Sequence, residues 1–111
     1  MARDTLYLLK AGFEDMGQPW FCPDCATMEG YLAYYPQLRE ALDVVYVDYP
    51  RPRADIAQRI GEANQGCPVL ILAQPAQGDE IQQSNGASFL SDARPITRYL
   101  AAKHDLSPPH P

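Results

Sequence analysis

The sequence predicts an α/β domain in which four strands form one mixed sheet with helices on both faces, in the order β-α-β-α-β-β-α. Two observations predict this class. Short runs of apolar and β-branched residues alternate with segments in which apolar residues recur every three or four positions. The chain has 111 residues, a length that fits one domain with one hydrophobic core.

Four segments have the composition of strands. Residues 5–9 and 44–47 are apolar runs of strand length, as expected of strands that are covered on both faces. Residues 67–72 begin with a Cys-Pro pair and continue as an apolar run, and proline is tolerated where a strand begins. Residues 87–90 are predicted to be a short fourth strand.

Two segments are predicted to be loops because they combine glycine, proline and polar residues. Residues 11–21 lead from the first strand to the first helix, and residues 74–85 form the mobile loop of a long hairpin. The proline-rich residues 107–111 are predicted to be a flexible tail, so the folded domain is expected to span residues 1–106.

The first helix is predicted to begin at Pro23, since proline suits the first turn, where its missing N–H has no intrahelical acceptor anyway. Apolar residues follow at spacings of three and four, so one face of the helix should be buried. The helix should weaken near Tyr35, because the residue before Pro36 is pushed out of the α region. Residues 37–42 are expected to add a short helical turn.

Two further helices complete the predicted order. One spans residues 53–64 and ends at Gly66 as its terminator. The other follows a side-chain cap at Ser91 or Asp92 and runs to about His104. The inward-facing residues are expected to be Ile56, Ile60 and Ala63 in the former helix and Ile96, Tyr99 and Leu100 in the latter.

Composition excludes several classes of partner. The net charge is −5, and binding a phosphate backbone needs a basic surface, so nucleic acid is not expected as a partner. No apolar run approaches the roughly twenty residues of a membrane span. The N-terminal residues lack the apolar stretch of a signal peptide, and three cysteines do not fit a secreted disulfide framework. We therefore expect a cytoplasmic protein.

The chemistry of the chain is concentrated at residues 22–25, Cys-Pro-Asp-Cys, where the first helix begins. Two cysteines at this spacing can share one disulfide or one metal ion. Helix N-terminal amides favour a thiolate, so Cys22 is expected to be the nucleophile. Cys25 is one turn further on, is expected to be more buried than Cys22, and is expected to resolve the mixed disulfide. Asp24 places a negative charge between the thiols and opposes the activation of Cys22.

A less specific interpretation of this pair is that the cysteines merely pack, because cysteine is often buried. The residues just before them favour a binding role. Trp20 and Phe21 are large apolar side chains directly before Cys22, and they are suited to form an apolar lip where a peptide or thiol could dock. Core contacts that anchor the preceding loop explain them about as well.

The predicted order, with Cys-Pro-Asp-Cys opening the first helix and Cys-Pro-Val opening the third strand, resembles the thioredoxin fold and, within it, the glutaredoxins. This resemblance implies a cis peptide bond before Pro68 and a substrate-binding edge formed by Cys67, Pro68 and Val69. The chain as a whole is also similar to an uncharacterised bacterial family labelled domain of unknown function 3088, a likeness that implies a thioredoxin-like fold and no established activity.

Residues 92–100 are similar to the end of the N-terminal domain of glutathione transferases, where a serine helps to hold the glutamyl end of glutathione. Ala93 stands at the position of that serine. The resemblance implies that Asp92 binds substrate and that glutathione binds weakly, because a hydrogen bond from the missing hydroxyl to the carboxylate is lost.

Cys67 has three interpretations. With Pro68 cis, its side chain is expected near Cys22, where it could be an alternative disulfide partner. Cys22, Cys25 and Cys67 could instead hold zinc, copper or an iron–sulfur cluster, with a further ligand from Glu14, Asp15, a histidine or solvent. The third interpretation is a small apolar residue that fills a tight place in the core.

These observations leave three functions open. The first is a thiol–disulfide oxidoreductase of glutaredoxin or thioredoxin type, which acts on a protein or small-molecule disulfide and for which no cofactor is expected other than, as an option, glutathione. The second is a metal-binding protein that uses the three thiols. The third is a thioredoxin-fold interaction module whose thiols do not react.

Overall fold

The computed structural model describes residues 2–111 and contains a mixed sheet of five strands with helices on both faces. The strands of the sheet and of a separate hairpin are β1 (Thr5–Leu9), β2 (Phe13–Asp15), β3 (Gln18–Trp20), β4 (Asp43–Val47), β5 (Val69–Ile71), β6 (Gln82–Ser84) and β7 (Ala87–Ser91). The helices are α1 (Pro23–Tyr34), α2 (Leu38–Ala41), α3 (Ala54–Ile60) and α4 (Ala93–His104). The predicted α/β class is confirmed.

The sheet has the strand order β4-β1-β5-β7-β6, and β2 and β3 form a separate hairpin. β1 and β4 are parallel, so the chain crosses over between them through α1 and α2. The remaining neighbours in the sheet are antiparallel. Leu70 of β5 lies opposite Leu6 on one side and Leu90 on the other, which places three leucines in a row across the sheet.

Alternate residues of each strand face opposite sides of the sheet, and each side has its own helices. On one side Leu6 and Leu70 pack with Met28 of α1 and Leu100 of α4 in a large apolar cluster. On the other side residues of β1, β5 and β7 pack with α3 in a smaller cluster, which consists of Tyr7, Ile56, Ile60, Val69, Ile71 and Phe89. The sheet is therefore covered on both faces, as its apolar strands predict.

The sheet has five strands where four were predicted, because part of the predicted loop 74–85 forms β6. β6 pairs with β7 across a two-residue turn in which Asn85 and Gly86 have φ angles of 55° and 77°. Asn-Gly is a strong signal for this kind of hairpin turn, since both residues adopt positive φ at little cost. The sequence contained this signal, and the polar composition before it obscured the strand.

The predicted loop 11–21 is also more regular than expected, because it contains the hairpin of β2 and β3. Phe13 of this hairpin stacks on Tyr49, with 4.3 Å between ring centroids. The turn residue Met16 has a φ of 51°, a conformation that methionine rarely adopts, and Pro19 lies within β3. Neither methionine at such a turn nor proline within a strand is typical of a hairpin. The prediction of a loop was therefore wrong, because the local sequence argued against the strands that form.

The helices lie close to their predicted bounds, except that α3 ends earlier than predicted. α1 stops at Tyr34, α2 lies within the predicted turn, and α4 runs to His104. α3 ends at Ile60 rather than near residue 64, because the chain turns at Gly61 and its N–H closes the last turn on the Ala57 carbonyl at 2.8 Å. Ala63 consequently lies outside the helix and is exposed, against the prediction.

Replacement of Gly86 by alanine is expected to lower the free energy of unfolding by about 1 kcal/mol, because a Cβ strains the backbone at its φ of 77° even though the space around it is open. Urea denaturation measures the change. Gly66→Ala is the matched control, since Gly66 is exposed, also has open space and lies outside the left-handed region. Equal losses in both variants would contradict the interpretation of the turn.

The C-terminal residues lie against the helices on the α1 side of the sheet. The Tyr31 hydroxyl donates to the Ser107 carbonyl at 3.0 Å, and the Arg94 guanidinium donates to the His110 carbonyl at 3.2 Å. The segment therefore contacts both α1 and α4. Among the helices described here, none combines the length and the apolar composition that crossing a bilayer requires.

Candidate thiol site

Cys22 is the N-cap residue of α1, and its sulfur does the capping. The Cys25 N–H donates to the Cys22 sulfur at 3.1 Å. The Cys22 thiol is partly exposed and lies 3.8 Å from the Cys67 carbonyl oxygen, to which it donates weakly. The Cys22 sulfur therefore contacts a backbone N–H of the helix N-terminus on one side and a backbone carbonyl on the other.

Cys25 lies beneath Cys22 and is buried, with 4% of its surface exposed. The Leu9 N–H donates to its sulfur at 3.5 Å. Burial, and then the neighbouring Cys22, raise the pKa of the Cys25 thiol well above its ordinary value, so it stays protonated at neutral pH. No disulfide joins the cysteines. The predicted order of exposure, with Cys22 outside and Cys25 inside, is confirmed.

Cys67 lies just before β5, and its bond to Pro68 is cis, as expected. It is partly buried, and burial raises the pKa of its thiol to about 11, while the nearby Arg53 guanidinium acts in the opposite direction. The Cys22 sulfur thus lies between two cysteines, with the Cys25 amide on one side and the Cys67 carbonyl on the other. The fold therefore places the Cys22 sulfur against the main chain of both other cysteines.

Asp24 links the thiol motif to the start of α4. Its carboxylate accepts a hydrogen bond from the Ala93 N–H at 3.2 Å. The predicted cap at Ser91 or Asp92 is wrong in this respect, because Asp92 occupies the N-cap position with a φ of 73° and makes no capping hydrogen bond with its side chain. The cap comes from another helix, which a reading of the local sequence could not find.

The other predicted substrate-binding residues differ in their exposure. Trp20 and Phe21 are exposed, at 39% and 60%, directly before Cys22. The Trp20 ring nitrogen donates to the Asp15 carbonyl at 2.6 Å, which fixes the ring on the hairpin. Pro68 and Val69 are buried, so their side chains do not face solvent.

The sequence left a metal site open, with Glu14, Asp15 or a histidine as a further ligand. The Asp15 carboxylate accepts a hydrogen bond from the Tyr49 hydroxyl at 3.3 Å, and Glu14 is exposed. Within residues 2–111 no three His, Cys, Asp or Glu side chains converge in an arrangement that could hold a metal ion.

A cavity of about 940 Å³ lies beside the motif, between α1, the start of α4 and the C-terminal residues. Asp24 is one of its lining residues, and three tyrosines of the α1 region, Tyr31, Tyr34 and Tyr35, form an aromatic wall. Prolines 108 and 109 line the opposite wall. The cavity was not predicted, because one of its walls comes from the proline-rich residues 107–111, for which a flexible tail was expected. The recurring tyrosines of the α1 region were the one local signal for it.

Cys22 is expected to alkylate faster than Cys25 at neutral pH, because its sulfur is partly exposed and receives a helix amide, whereas Cys25 is buried and protonated. Brief treatment with iodoacetamide followed by peptide mapping measures the order of labelling. Labelling of the denatured protein is the control, since both cysteines should then react at similar rates. Earlier labelling of Cys25 in the folded protein would contradict the arrangement.

Comparison with known proteins places the chain in a family. The family model described as protein of unknown function (DUF3088) matches residues 3–108, which is nearly the whole chain. No curated protein and no solved structure matches the sequence. The chain therefore belongs to the DUF3088 family of proteins of unknown function.

Proposed function

We propose that the protein is a thiol–disulfide oxidoreductase that uses Cys22 as nucleophile and Cys25 as resolving thiol. The observation that carries the proposal is the geometry of the pair. A partly exposed sulfur receives the amide of a helix N-terminus, and a buried thiol lies one turn below it. This arrangement suits nucleophilic attack by the outer sulfur and a second attack by the inner one.

The reaction would proceed in two exchanges. The Cys22 thiolate attacks a substrate disulfide, a new S–S bond forms to Cys22, and one substrate sulfur leaves as a thiolate and takes up a proton. Cys25 then loses its proton and attacks the Cys22 sulfur. The second substrate sulfur leaves, so the substrate has gained two electrons and the protein holds a Cys22–Cys25 disulfide.

The topology supports this function by analogy with thioredoxins and glutaredoxins. Four neighbouring strands, in the order β4-β1-β5-β7, form a mixed sheet of the kind that the resemblance to those proteins implies. The thiol motif opens the helix that follows the central strand, after the β2–β3 hairpin. On this interpretation β6 and the hairpin are additions to a thioredoxin-like sheet. A likeness of fold does not fix an activity, so the argument rests on the thiols.

We further propose that the substrate is a protein disulfide rather than glutathione. The Ala93 N–H at the start of α4 could donate to the carboxylate of a ligand, but it already donates to the Asp24 carboxylate of the protein itself. Next to the thiols, Trp20 and Phe21 expose a continuous apolar segment, and Met16 on the same hairpin is 80% exposed. An apolar surface of this kind suits a peptide better than it suits a small, charged thiol.

Asp24→Ala is expected to strengthen glutathione binding by roughly tenfold to a hundredfold, because it frees the Ala93 amide for a carboxylate and removes a like charge. Isothermal calorimetry with reduced glutathione measures the affinity. Asp79→Ala is the control, since it removes an equal charge from an exposed loop residue. Micromolar glutathione binding by the unmodified protein would refute the proposed preference, and an equal gain in both variants would show a general charge effect instead.

The proposed activity is tested with a peptide disulfide whose fluorescence rises on reduction, with dithiothreitol as the electron source. The protein should accelerate reduction well above the rate with dithiothreitol alone. Elemental analysis of protein purified without chelator tests the alternative of a metal-binding protein. A stoichiometric metal that protects all three thiols from alkylation would count against the oxidoreductase and in favour of that alternative.

A further inference from the structure

Arg53 is a buried arginine that the proposed chemistry has not used. It is 8% exposed, and its guanidinium donates to the Tyr49 carbonyl at 2.6 and 3.1 Å and to the Gln65 carbonyl at 2.7 Å. Among residues 2–111, no carboxylate lies within 4.0 Å of it to form an ion pair. Burying a cation is costly, and cations inside proteins are ordinarily paired with an acidic group.

The acidic group that Arg53 affects is the thiol of Cys67, not a carboxylate. The guanidinium lies near the Cys67 side chain and favours its charged form, against the effect of burial. Carbonyls on two sides hold the guanidinium in place, so its position does not depend on a flexible surface contact. The fixed cation offsets part of the effect of burial, although the pKa of the Cys67 thiol stays raised, at about 11.

The same cysteine is a neighbour of the proposed nucleophile. The Cys22 sulfur lies 3.8 Å from the Cys67 carbonyl oxygen, so the sulfur that would carry a mixed disulfide rests against the main chain of Cys67. Cys25 is the more deeply buried of the two remaining thiols, at 4% exposure. Cys22 therefore has the Cys25 amide on one side and the main chain of a second cysteine, Cys67, on the other.

We propose that Cys67 is a second resolving thiol, which attacks mixed disulfides on Cys22, and that Arg53 is the positioning residue whose fixed charge eases the loss of its proton. The inference rests on the proposed function, because it requires Cys22 to form mixed disulfides. In the step, the Cys67 thiol gives up its proton, its sulfur attacks the Cys22 sulfur, and a Cys22–Cys67 disulfide forms. The bond from Cys22 to the substrate sulfur breaks, and that sulfur leaves as a thiolate and takes up a proton.

The test uses Cys25→Ser, in which Cys67 is the one thiol left to resolve Cys22. The full-length variant is mixed with an equimolar amount of the aromatic disulfide dithiobis(nitrobenzoic acid), and release of its coloured thiolate is followed by absorbance. The first equivalent reports attack by Cys22. We expect a second equivalent, a protein mass lower by two hydrogen atoms, and a Cys22–Cys67 linkage in peptide maps.

The matched control is Cys25→Ser combined with Cys67→Ser, which should release one equivalent and retain the aromatic adduct on Cys22. A persistent adduct on the Cys25→Ser protein would overturn the inference and leave the proposed function intact. Failure to release even the first equivalent would instead defeat the proposed function. The two failures are therefore distinguishable in one experiment.

The role of Arg53 is tested in the Cys25→Ser background with Arg53→Met and Arg53→Lys. The methionine variant should slow the second release about tenfold without changing the first, because the loss of a charge-assisted contact acts on Cys67 alone. The lysine variant should recover part of the rate. Circular dichroism checks that both variants fold, and an equal slowing of both releases would mean that Arg53 is merely structural. If the methionine variant does not fold, the lysine variant and the Cys67→Ser comparison decide the inference.

Discussion

Cys22→Ser is expected to abolish the disulfide reductase activity, so that the rate falls to that of dithiothreitol alone. Serine has nearly the same size and can occupy the same N-cap position, but a hydroxyl oxygen is a far weaker nucleophile towards a disulfide than a cysteine sulfur. The fluorescent peptide disulfide assay measures the loss. No substitution in the remainder of the chain should have a larger effect on activity, since every step of the proposed reaction passes through this sulfur.

The stability of the same variant provides its control. Because Cys22 is partly exposed, the serine should change the free energy of unfolding by no more than about 0.5 kcal/mol. A folded Cys22→Ser protein that still reduces the peptide would show that another cysteine is the nucleophile. Cys67 would then be the first residue to examine, because it is the other partly exposed thiol.

Leu70→Ala is expected to lower the free energy of unfolding by about 2 to 5 kcal/mol, a large part of the stability of a domain of this size. Leu70 is fully buried in β5, and its neighbours Leu6 and Leu90 on the adjacent strands cannot close the space that the side chain leaves. Urea denaturation followed by circular dichroism measures the loss. A domain of this size has only about 5 to 15 kcal/mol of stability.

Tyr34→Ala is the control for this prediction, because it removes a larger side chain that is 80% exposed. Its effect should stay within about 0.5 kcal/mol. A loss for Leu70→Ala below about 1 kcal/mol would mean that the core relaxes into the space and that β5 is less rigid than its central position implies.

The elements found from the sequence are those whose patterns are local. β1 matches its predicted bounds because five apolar or β-branched positions are bounded by polar residues, and α1 begins at a proline and a capping cysteine. The missed elements, β6 and the hairpin of β2 and β3, consist largely of polar or exposed residues. Their pairing depends on turns with positive φ, which hydrophobic patterns do not report.

In the candidate site, too, some contacts follow from local spacing in the sequence and others depend on the fold. Cys22 and Cys25 are three positions apart, so their proximity follows from helix geometry alone. The contact of Asp24 with the Ala93 amide joins positions 69 apart, and the convergence of Arg53 with Cys67 depends on how α3 meets the start of β5. No spacing rule links such residues, so their roles could be recognised only once the fold was known.

The position of the C-terminal residues has a practical consequence for tethered partners. His110 and Asp24 line the same cavity, so the end of the described chain lies close to the thiol motif. Asp4 lies at the start of β1 and contacts Lys103 at the other end of α4. A reductase or bait peptide fused after residue 111 would therefore be held near Cys22 at a high effective concentration. A partner fused before residue 2 would instead be attached near the opposite end of α4, further from the thiol motif.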